Sequence, residues 1–457
     1  MSIFPRNAAG FFLILPDSYS ERARPLYNPG RYRFLQNIFR FSIKADHTIL
    51  YVPIFAVRTS VSMNISFDNT ENAFAYKTDK ELKSARFLFN SMGFPWFVQV
   101  GTRLTPYIMK TGMPAVHNII RKTIFKQFVG GETLEETASV GNTLGKYGIQ
   151  VILDYGVEGK EGEASFDHAT EEFIRVINYA ATQTNIPFIS IKVTGLARFE
   201  LLQILNEAPR LRSGIHDHEE EIAEWDRVRD RMYSICEVAA EKNIGVLIDA
   251  EESWIQDPID RLTMEMMEAF NKEKVIVYNT IQLYRHDRLS FLKLSHKIAR
   301  QQGFKLGMKL VRGAYMEKER ERALDKGVAS PIQRDKESTD HDYDESVRYC
   351  IENINDISVI IASHNEDSNL FAAQLLEEKG ISHKHHHVHF SQLYGMSDNI
   401  TFNLAKEGLN VSKYLPFGPI KDVIPYLMRR AKENSSVSGQ TGRELSLIKK
   451  ELQRRKA

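Results

Sequence analysis

From residue 149 to residue 414 the chain alternates short runs of β-branched and aliphatic residues with longer amphipathic segments. The short runs are typical of buried strands, and the amphipathic segments repeat with helical spacing. Because strands separated by helices run parallel, eight repeats of this unit predict an α/β fold, the closed (β/α)8 TIM-type barrel. The predicted strands are 149–154, 188–193, 245–250, 275–282, 306–311, 357–362, 388–391 and 409–414.

A helical arm is predicted before the barrel, because Leu82, Ala85, Phe87, Leu88 and Met92 recur near helical spacing. The expected organisation has four parts. Residues 1–62 are an extension that the patterning supports poorly, and 63–147 form the α-helical arm. Residues 148–437 form the barrel, and 438–457 are a C-terminal tail that we expect to be frayed.

Composition excludes several classes of protein. A net charge of +1 on 457 residues argues against a nucleic-acid binder. Two cysteines, Cys236 and Cys350, cannot form a disulfide framework. No apolar run approaches the roughly 20 residues that span a bilayer, so any membrane contact is expected to be peripheral.

The first 62 residues hold eight Lys or Arg against three Asp or Glu, a net charge of +5. Two interpretations stay open. An Arg-rich, acid-poor stretch is typical of an organellar transit peptide, which would make the protein mitochondrial. Alternatively, Met63 is the real start and the stretch before it is a mis-assigned extension. We favour the second, which predicts a cytoplasmic protein with a peripheral contact at the inner membrane.

Polar side chains end most of the predicted strands. In a (β/α)8 barrel the chemistry collects at the carboxyl ends of the strands, so these side chains are expected to share one mouth. Lys192 and Asp249 end neighbouring strands and are expected to pair, since an unpaired buried charge is costly. The alternative is that these residues form salt bridges that only link the ends of loops. The strand-end residues are Asp154, Lys192, Asp249, Glu251, Gln282, Tyr284, Lys309, His364, Asn365, Gln392 and Tyr414.

A pair of arginines, Arg429 and Arg430, follows the last strand on a predicted helix. A guanidinium binds a carboxylate through two parallel hydrogen bonds, and adjacent arginines repel unless an anion lies between them. Glu433 stands one helical turn after Arg429 and can hold that side chain. The pair therefore predicts a carboxylate site, with an exposed basic helix end as the alternative.

The chain resembles the proline dehydrogenase family, flavoenzymes built on a distorted (β/α)8 barrel, from about residue 67 to residue 437. The resemblance rests on six motifs taken in order. They are Ile189-Ser-Ile-Lys192, Ile248-Asp-Ala-Glu251, Lys309-Leu-Val-Arg-Gly-Ala-Tyr315, Ser363-His-Asn365, Gln392-Leu-Tyr-Gly-Met396, and Tyr426 with Arg429, Arg430, Glu433 and Asn434.

The resemblance implies FAD as cofactor and oxidation of L-proline to Δ1-pyrroline-5-carboxylate, the first step of proline catabolism. It implies catalytic roles for Asp249 and Lys309. It implies substrate binding by Lys192, Arg429, Arg430, Tyr414, Tyr426, Tyr315 and Glu158. It implies cofactor contacts from Ala250, Gln282, Lys309, Val311, Arg312, Gly313, Ala314, Ser363, His364, Asn365, Gln392 and Glu433.

The resemblance further implies a membrane quinone as electron acceptor. Because the chain ends about 20 residues after the last motif, we expect a separate pyrroline-5-carboxylate dehydrogenase for the next step. The charged segment 317–344 is expected to contain a loop and a short helix that cover the cofactor. Tyr414 is expected to disfavour 4-hydroxyproline by crowding the ring.

Other classes stay open. A Schiff-base aldolase on the same barrel could use Lys192 or Lys309. A metal-dependent hydrolase is weaker, because no His-x-His pair ends the first strand. A non-enzymatic proline binder is a third class. A histidine cluster precedes or begins strand seven, at the end of the barrel away from the chemistry, so we interpret it as structural and predict no metal site. Its members are His383, His385, His386, His387 and His389.

Overall fold

A computed structural model describes residues 65–92, 118–156, 161–207, 219–436 and 440–457, all within one compact unit. The predictions made for residues 1–62 lie outside these ranges. For residues 432–436 and residue 440 the backbone alone is described. In the described part of the chain no helix is long and apolar enough to cross a membrane.

Eight parallel strands close into a barrel in which each strand pairs with the next and the last pairs with the first. The predicted (β/α)8 barrel is confirmed, with strand ends that differ by a few residues. The strands are β1 Gln150–Tyr155, β2 Phe188–Ile191, β3 Gly245–Ile248, β4 Val277–Gln282, β5 Leu306–Val311, β6 Ile357–Ala362, β7 Val388–Leu393 and β8 Val411–Phe417.

Helices follow the strands and cover the barrel, as the amphipathic segments predicted. Before the barrel lie Thr70–Ala73, Asp79–Met92, a π-helical turn Arg121–Phe125, Lys126–Phe128 and Leu134–Gly145. Within it lie Glu163–Ala181, the short 3-10 turn Val193–Gly195, Phe199–Glu207, Glu219–Lys242, Ser253–Phe270, Arg288–Gln302, Met316–Lys326, Lys336–Glu352, Glu366–Glu378 and Asp398–Lys406. The last two helices are Ile420–Ser436, here called the arginine helix, and Gln440–Arg454, the C-terminal helix.

Aromatic side chains close the barrel interior at its amino-terminal end. The ring of Phe188 meets that of Tyr278 edge to face, with centroids 5.6 Å apart. Two glycines make room for this layer: a Cβ on Gly245 would lie 2.3 Å from the Phe188 ring, and one on Gly307 would lie 2.3 Å from the Val277 carbonyl oxygen. With this end filled, ligands can reach the barrel only from the carboxyl ends of the strands.

The arm helix Asp79–Met92 buries Leu82, Ala85, Phe89 and Met92, whose spacing of three and four residues defines one face. The expectation that Phe87 shares this face is wrong, because its side chain is 71% exposed. Five residues beyond Leu82, Phe87 points about 140° away from it at 100° per residue. Phe89 takes the place that the sequence interpretation gave to Phe87.

The C-terminal helix differs from the frayed tail expected for this part of the chain. Leu447, Ile448 and Leu452 are buried in a second apolar core, together with the arm helix and the arginine helix. This core lies outside the barrel wall. It fixes the arginine helix, and therefore the position of Arg429 and Arg430, from behind.

A buried cluster of charges joins the arm to the barrel. Asp398 Oδ1 lies 2.9 Å from Lys413 Nζ, and its Oδ2 lies 3.1 Å from Lys77 Nζ and accepts a 2.9 Å hydrogen bond from the Tyr76 hydroxyl. Lys413 is on β8 and the tyrosine and Lys77 belong to the arm. We call this set the wall centre: Asp398, Lys413, Lys77 and Tyr76.

Candidate active site

Asp249, the residue after β3, binds side chains from three other strands. Its Oδ1 accepts hydrogen bonds from Lys309 and, at 2.7 Å, from the Ser190 hydroxyl, while its Oδ2 accepts a 2.8 Å bond from the Tyr414 hydroxyl. Lys192 Nζ lies 3.8 Å from Oδ2. The interior-facing positions of β2, β3, β5 and β8 therefore converge on one carboxylate. We call this set the mouth centre: Asp249, Lys192, Lys309 and Tyr414.

The predicted pair of Lys192 and Asp249 is present, although Lys309 makes the closer contact. Residue 191 pairs with residue 248 across β2 and β3, so Lys192 and Asp249 are the next residues on two neighbouring strands. Lys309 reaches the same carboxylate from β5, on the far side of β4.

Electrostatics keep the Asp249 carboxylate ionised. Burial would raise its pKa, but Lys309 and Lys192 together with the hydrogen bonds from Lys309 and Ser190 lower the pKa of Asp249 to about 2. Burial, with Asp154 and Asp249 nearby, raises the pKa of Tyr414 well above its ordinary value. The tyrosine therefore remains a hydrogen-bond donor to Asp249 at all ordinary pH values.

The arginine helix contributes to both sides of the mouth. Burial raises the pKa of Tyr315, and the charges of Arg429 and Lys192 act against that rise, so Tyr315 lies within electrostatic range of both cations. Arg430 is buried, with its guanidinium carbon 5.2 Å from the centroid of the buried Tyr426 ring. The charge of Arg430 acts instead on His364. The two arginines thus influence different neighbours.

Glu251 and Gln282 form a second polar group beside the mouth centre. The Glu251 carboxylate accepts hydrogen bonds from the Thr194 hydroxyl at 2.6 Å and the Thr194 backbone nitrogen at 3.1 Å, and burial raises its pKa to about 7. Gln282 Nε2 donates to the Glu251 carbonyl oxygen at 3.1 Å. The buried Gln282 Oε1 has no hydrogen-bond partner among the described residues. Ala250 is half-buried between Asp249 and Glu251.

The ends of β5 and β6 form a third polar group, centred on Arg312. Its Nε donates to Asp340 at 2.8 Å, its Nη1 to the Ser363 hydroxyl at 2.7 Å and its Nη2 to the Ser368 hydroxyl at 3.0 Å. Asn365 Oδ1 accepts from the Ser368 backbone nitrogen at 2.9 Å and caps the helix Glu366–Glu378. These hydrogen bonds tie the ends of β5 and β6 to the helix Glu366–Glu378.

Gly313 follows Arg312 with a φ of +132°, a conformation that L side chains rarely adopt. A Cβ there would also lie 2.5 Å from the ring of Tyr284, so only glycine permits this close approach. Gly313 and Ala314 are exposed at the rim, and Val311 is half-buried at the end of β5.

His364 and Gln392 complete this side of the mouth. His364 Nδ1 lies 2.8 Å from the Ser397 hydroxyl, and burial, with the charges of Lys413, Arg430 and Arg312, lowers its pKa to about 3. The imidazole is therefore neutral near pH 7. Gln392 Nε2 donates to the Ser363 carbonyl oxygen at 3.1 Å, and its Oε1 accepts from Thr401 at 2.8 Å. Gln392 thus supports the loop that carries His364.

Two predicted site residues are not described. Glu158 lies outside the described ranges, and of Glu433 only its place in the arginine helix is described. Their roles stay predictions. Sequence reasoning missed Ser190, Thr194 and Asp340. Ser190 could have been found, because it lies two residues before Lys192 and strand periodicity puts both on the interior face.

The segment after β5 contains the predicted short helix, Met316–Lys326. Glu319 accepts hydrogen bonds from the Ser253 backbone nitrogen at 2.7 Å and from the Ser253 hydroxyl at 2.6 Å. Arg322 lies 4.4 Å from the centroid of the Trp254 ring. The helix is therefore held against the start of the helix after β3, and its role as a cover for the cofactor stays a prediction.

The histidines lie at or before the start of β7, the opposite end of the barrel from the mouth. His387 Nδ1 lies 2.6 Å from the Ile354 carbonyl oxygen, and His389 Nε2 lies 2.6 Å from the Ser412 hydroxyl. Across the described ranges no group of three or more His, Cys, Asp or Glu is arranged to hold a metal ion. These contacts are structural.

Comparisons with known proteins bear on this geometry. The family model described as "Proline dehydrogenase" matches residues 138–443 of this chain. The chain is 33% identical to the carbapenem antibiotics biosynthesis protein CarD of Pectobacterium carotovorum, over 77% of this chain and 90% of that protein. It is also 33% identical to a mitochondrial proline dehydrogenase 1 of Dictyostelium discoideum, over 74% of this chain and 65% of that protein.

Solved structures support the fold. The crystal structure of proline utilization A (PutA) from Bdellovibrio bacteriovorus, inactivated by N-propargylglycine, superposes with a TM-score of 0.63 at 22% sequence identity. The match covers 82% of this chain and 40% of the PutA chain. At this identity the likeness concerns the barrel architecture.

Proposed function

Because the chain belongs to the proline dehydrogenase family, we propose that it oxidises L-proline to Δ1-pyrroline-5-carboxylate with FAD as its cofactor. The observation that carries this proposal is the mouth centre. It gathers two ammonium groups, one carboxylate and one tyrosine hydroxyl at the open end of the barrel. A small zwitterion such as proline needs cations for its carboxylate and an apolar wall for its ring.

The substrate carboxylate would be held by Lys192 and Arg429, with Arg430 as the third cation. Tyr315 lies within electrostatic range of Lys192 and Arg429, which supports a common binding region for these two cations. Such a clamp fixes the distance and angle between the ring carbon that is oxidised and its acceptor. Glu158 and Glu433 stay predicted partners of the arginines.

The pyrrolidine ring would pack against Tyr414 and Tyr426, with Tyr315 beside them. Tyr414 is held by its 2.8 Å hydrogen bond to Asp249, so its ring has one orientation. A rigid aromatic wall costs little conformational entropy when the substrate binds. This wall also limits the size of the substituents that the pyrrolidine ring of a substrate can carry.

The rim fits a flavin. Gln282 Oε1 is a buried acceptor that lacks a partner among the described residues, and a donor group on a bound ligand would satisfy it. Gly313 and Ala314 let a ligand approach the backbone closely. We propose that FAD is held by Ala250, Gln282, Lys309, Val311, Arg312, Gly313, Ala314, Ser363, His364, Asn365, Gln392 and Glu433.

When bound, FAD supplies the hydride-accepting chemistry, and a membrane quinone would take the electrons onward. The protein's contribution is orientation and charge. Lys309, held in place by Asp249, puts a fixed positive charge at the mouth where negative charge develops during the reaction. This is the catalytic role that we propose for Lys309.

Asp249 would act through its charge rather than as a base. Its carboxylate has a pKa of about 2, which makes it a poor acceptor for the ammonium proton of proline. We propose water as the acceptor of that proton. Asp249 instead orients Lys309 and Tyr414 and neutralises one of the two lysine charges, so that the substrate carboxylate can neutralise the other.

The partners and location follow the same proposal. The next oxidation would be carried out by a separate pyrroline-5-carboxylate dehydrogenase, and the enzyme would be cytoplasmic with a peripheral contact at the inner membrane. A mitochondrial location is the alternative if residues 1–62 are a transit peptide. The comparisons give the Schiff-base aldolase no support.

The proposal is tested by the absorbance spectrum of the purified protein before and after anaerobic addition of L-proline. We expect a flavin spectrum that bleaches with L-proline and stays unchanged with D-proline at the same concentration. A flavin spectrum that L-proline leaves intact would exclude the proposed reaction. Loss of bleaching in Lys309→Met with flavin still bound would support the charge role of Lys309.

A further inference from the structure

Ser397 has an unusual backbone conformation. In the described part of the chain only Asn243 and Ser397 have positive φ without being glycine, and Ser397 has a φ of 50° and a ψ of 43°. A serine in the left-handed region carries strain that the surrounding structure must offset. Asn243 belongs to a residue type that tolerates this region, whereas serine does so less readily.

The Ser397 side chain is turned away from its obvious local role. Ser397 precedes the helix Asp398–Lys406 in the N-cap position, where a serine hydroxyl normally accepts a hydrogen bond from the first turn. No such bond is present. The hydroxyl instead lies 2.8 Å from Nδ1 of His364 at the barrel mouth. The strained backbone therefore serves to present the hydroxyl to the imidazole.

Glu444 of the C-terminal helix holds this conformation. Its carboxylate accepts a hydrogen bond from the Ser397 backbone nitrogen, and its side chain is buried. The neighbouring Arg443 binds Glu366 through Nε at 2.8 Å, and Glu366 begins the helix that follows His364. The C-terminal helix thus contacts the two turns on either side of the imidazole.

A carboxylate is not needed to dock the C-terminal helix, because Leu447, Ile448 and Leu452 bury its apolar face. Burial and the charge of Asp398 raise the pKa of Glu444 to about 7, so the position is unfavourable for an ionised group. The hydrogen bond from the Ser397 nitrogen and the charges of Lys413 and Lys77 act against this rise. Of these interactions the hydrogen bond is the directional one, and it specifies where the carboxylate lies.

We propose that Glu444 is a positioning residue for the cofactor side of the mouth, acting on His364 through Ser397. The bond from Ser397 fixes the backbone, the backbone presents the hydroxyl, and the hydroxyl orients the imidazole toward the rim that would contact the flavin. The inference rests on the proposed function, because it takes His364 as a flavin contact. It links the end of the chain to cofactor affinity.

The test measures FAD binding to the deflavinated full-length protein by flavin fluorescence. Partners that orient metal-ligating histidines contribute about 10- to 100-fold to metal affinity, and by analogy we expect Glu444→Ala and Ser397→Ala each to raise the FAD dissociation constant about tenfold. Glu444→Gln keeps an acceptor for the Ser397 nitrogen and is expected to bind FAD within about threefold of wild type. The double variant should be no weaker than the weaker single variant.

Glu451→Ala is the matched control. Glu451 is a buried carboxylate of the same helix that binds Arg454 at 2.9 Å and Arg455 at 2.7 Å, far from Ser397 along the helix. We expect it to lower the melting temperature and leave FAD affinity unchanged. The KM for L-proline at saturating FAD should not change in any of these variants, because the substrate cations lie on other elements.

Equal FAD affinity in wild type and Ser397→Ala would overturn the inference, and that variant leaves the C-terminal helix and its carboxylate in place. Equal weakening by Glu444→Ala and Glu451→Ala would assign the effect to helix docking and overturn it as well. A wild-type protein that binds no FAD would overturn the proposed function itself. FAD binding by wild type with no loss in Glu444→Ala would overturn only the role of Glu444.

Discussion

The mouth centre and the wall centre contain the same side chains, one aspartate, two lysines and a tyrosine, yet only one of them opens to a ligand. In both, burial would raise the aspartate pKa and two ammonium groups lower it to about 2. In the wall centre the side chains of Asp398, Lys413 and Lys77 are 3%, 0% and 10% exposed. In the mouth centre those of Asp249, Lys192 and Lys309 are 14%, 11% and 6% exposed, so the clearest difference in exposure is between the two aspartates.

A second difference lies in where the lysines stand. Lys413 Nζ also donates to the Met396 carbonyl oxygen at 2.5 Å and to the Leu393 carbonyl oxygen at 3.4 Å, which satisfies the ammonium within the wall. Lys192 directly follows β2 at the open end of the barrel, and its Nζ lies 3.8 Å from Asp249 Oδ2. The comparison teaches that residue types alone do not mark a functional site, and that access from the open end of the barrel does.

The largest expected effect tests the wall centre. Lys413→Met leaves Asp398 buried beside a thioether, and removing one partner of a buried ion pair costs about 3–5 kcal/mol of unfolding free energy. Urea unfolding followed by circular dichroism measures the loss. The KM for L-proline of the folded fraction should stay near wild type. A change in KM without a loss of stability would break the distinction between the two centres.

A second prediction concerns pH and the acid beside the wall centre. The pKa of Glu444 is raised from 4.5 to about 7, so its contribution to stability is present below about 4.5 and lost as the pH rises through about 7. Between these values wild type should lose roughly 2–3 kcal/mol relative to Glu444→Gln. Urea unfolding of both proteins at pH 5 and pH 8 measures the difference. If the unfolding free energies of wild type and Glu444→Gln change with pH in parallel, the raised pKa of Glu444 is contradicted.

The third prediction tests the mouth cations. Arg429→Ala and Arg430→Ala each remove a charge-assisted contact worth about 1.5–3 kcal/mol, so we expect KM for L-proline to rise by roughly 10- to 150-fold. Fold and flavin content should stay near wild type, in contrast to Lys413→Met. Arg175→Ala, on an outer helix, is the control and should leave KM unchanged. An unchanged KM in both mouth variants would remove the proposed carboxylate clamp.

The smallest expected effect concerns Tyr414. We expect wild type to prefer L-proline to 4-hydroxyproline, because the tyrosine ring crowds the substituted carbon. Tyr414→Ala should lower the ratio of kcat/KM for L-proline to kcat/KM for 4-hydroxyproline by roughly tenfold. The corresponding tyrosine of the wall centre is the control. Tyr76→Phe loses the 2.9 Å hydrogen bond to Asp398 and should leave the substrate ratio unchanged while lowering stability by about 1 kcal/mol. The same substrate ratio in wild type and in Tyr414→Ala would contradict the prediction that the Tyr414 ring crowds 4-hydroxyproline.

Much of the mouth could be predicted from the sequence, because strand ends are local features. A run of β-branched residues that ends in Lys192 or Asp249 specifies both the strand and its polar end. The topology of a parallel barrel then brings all such ends together. The partner of Asp249 could not be chosen this way. Lys309 lies two strands away from Asp249 and about 60 residues along the chain, and its ammonium reaches the carboxylate only when the barrel closes.

The second apolar core shows the limit of local patterns. The helical period places Phe89 on the face of Leu82 and Phe87 about 140° from it, but the partners of that face in this core come from helices distant in the chain. The C-terminal helix is rich in lysine and arginine, so its sequence resembles a frayed end. Its apolar residues become buried because the arm and the arginine helix together form a surface that neither forms alone.

By itself the sequence determined the eightfold strand and helix alternation, the barrel that follows from it, and the set of polar side chains at one end. Each of these depends on residues close together in the chain. The tertiary structure decided which of two chemically equal aspartates faces the open mouth, and it brought Glu444 to Ser397 across 47 residues. Such pairings depend on burial and distance between separate elements, and these are set only when the chain has folded.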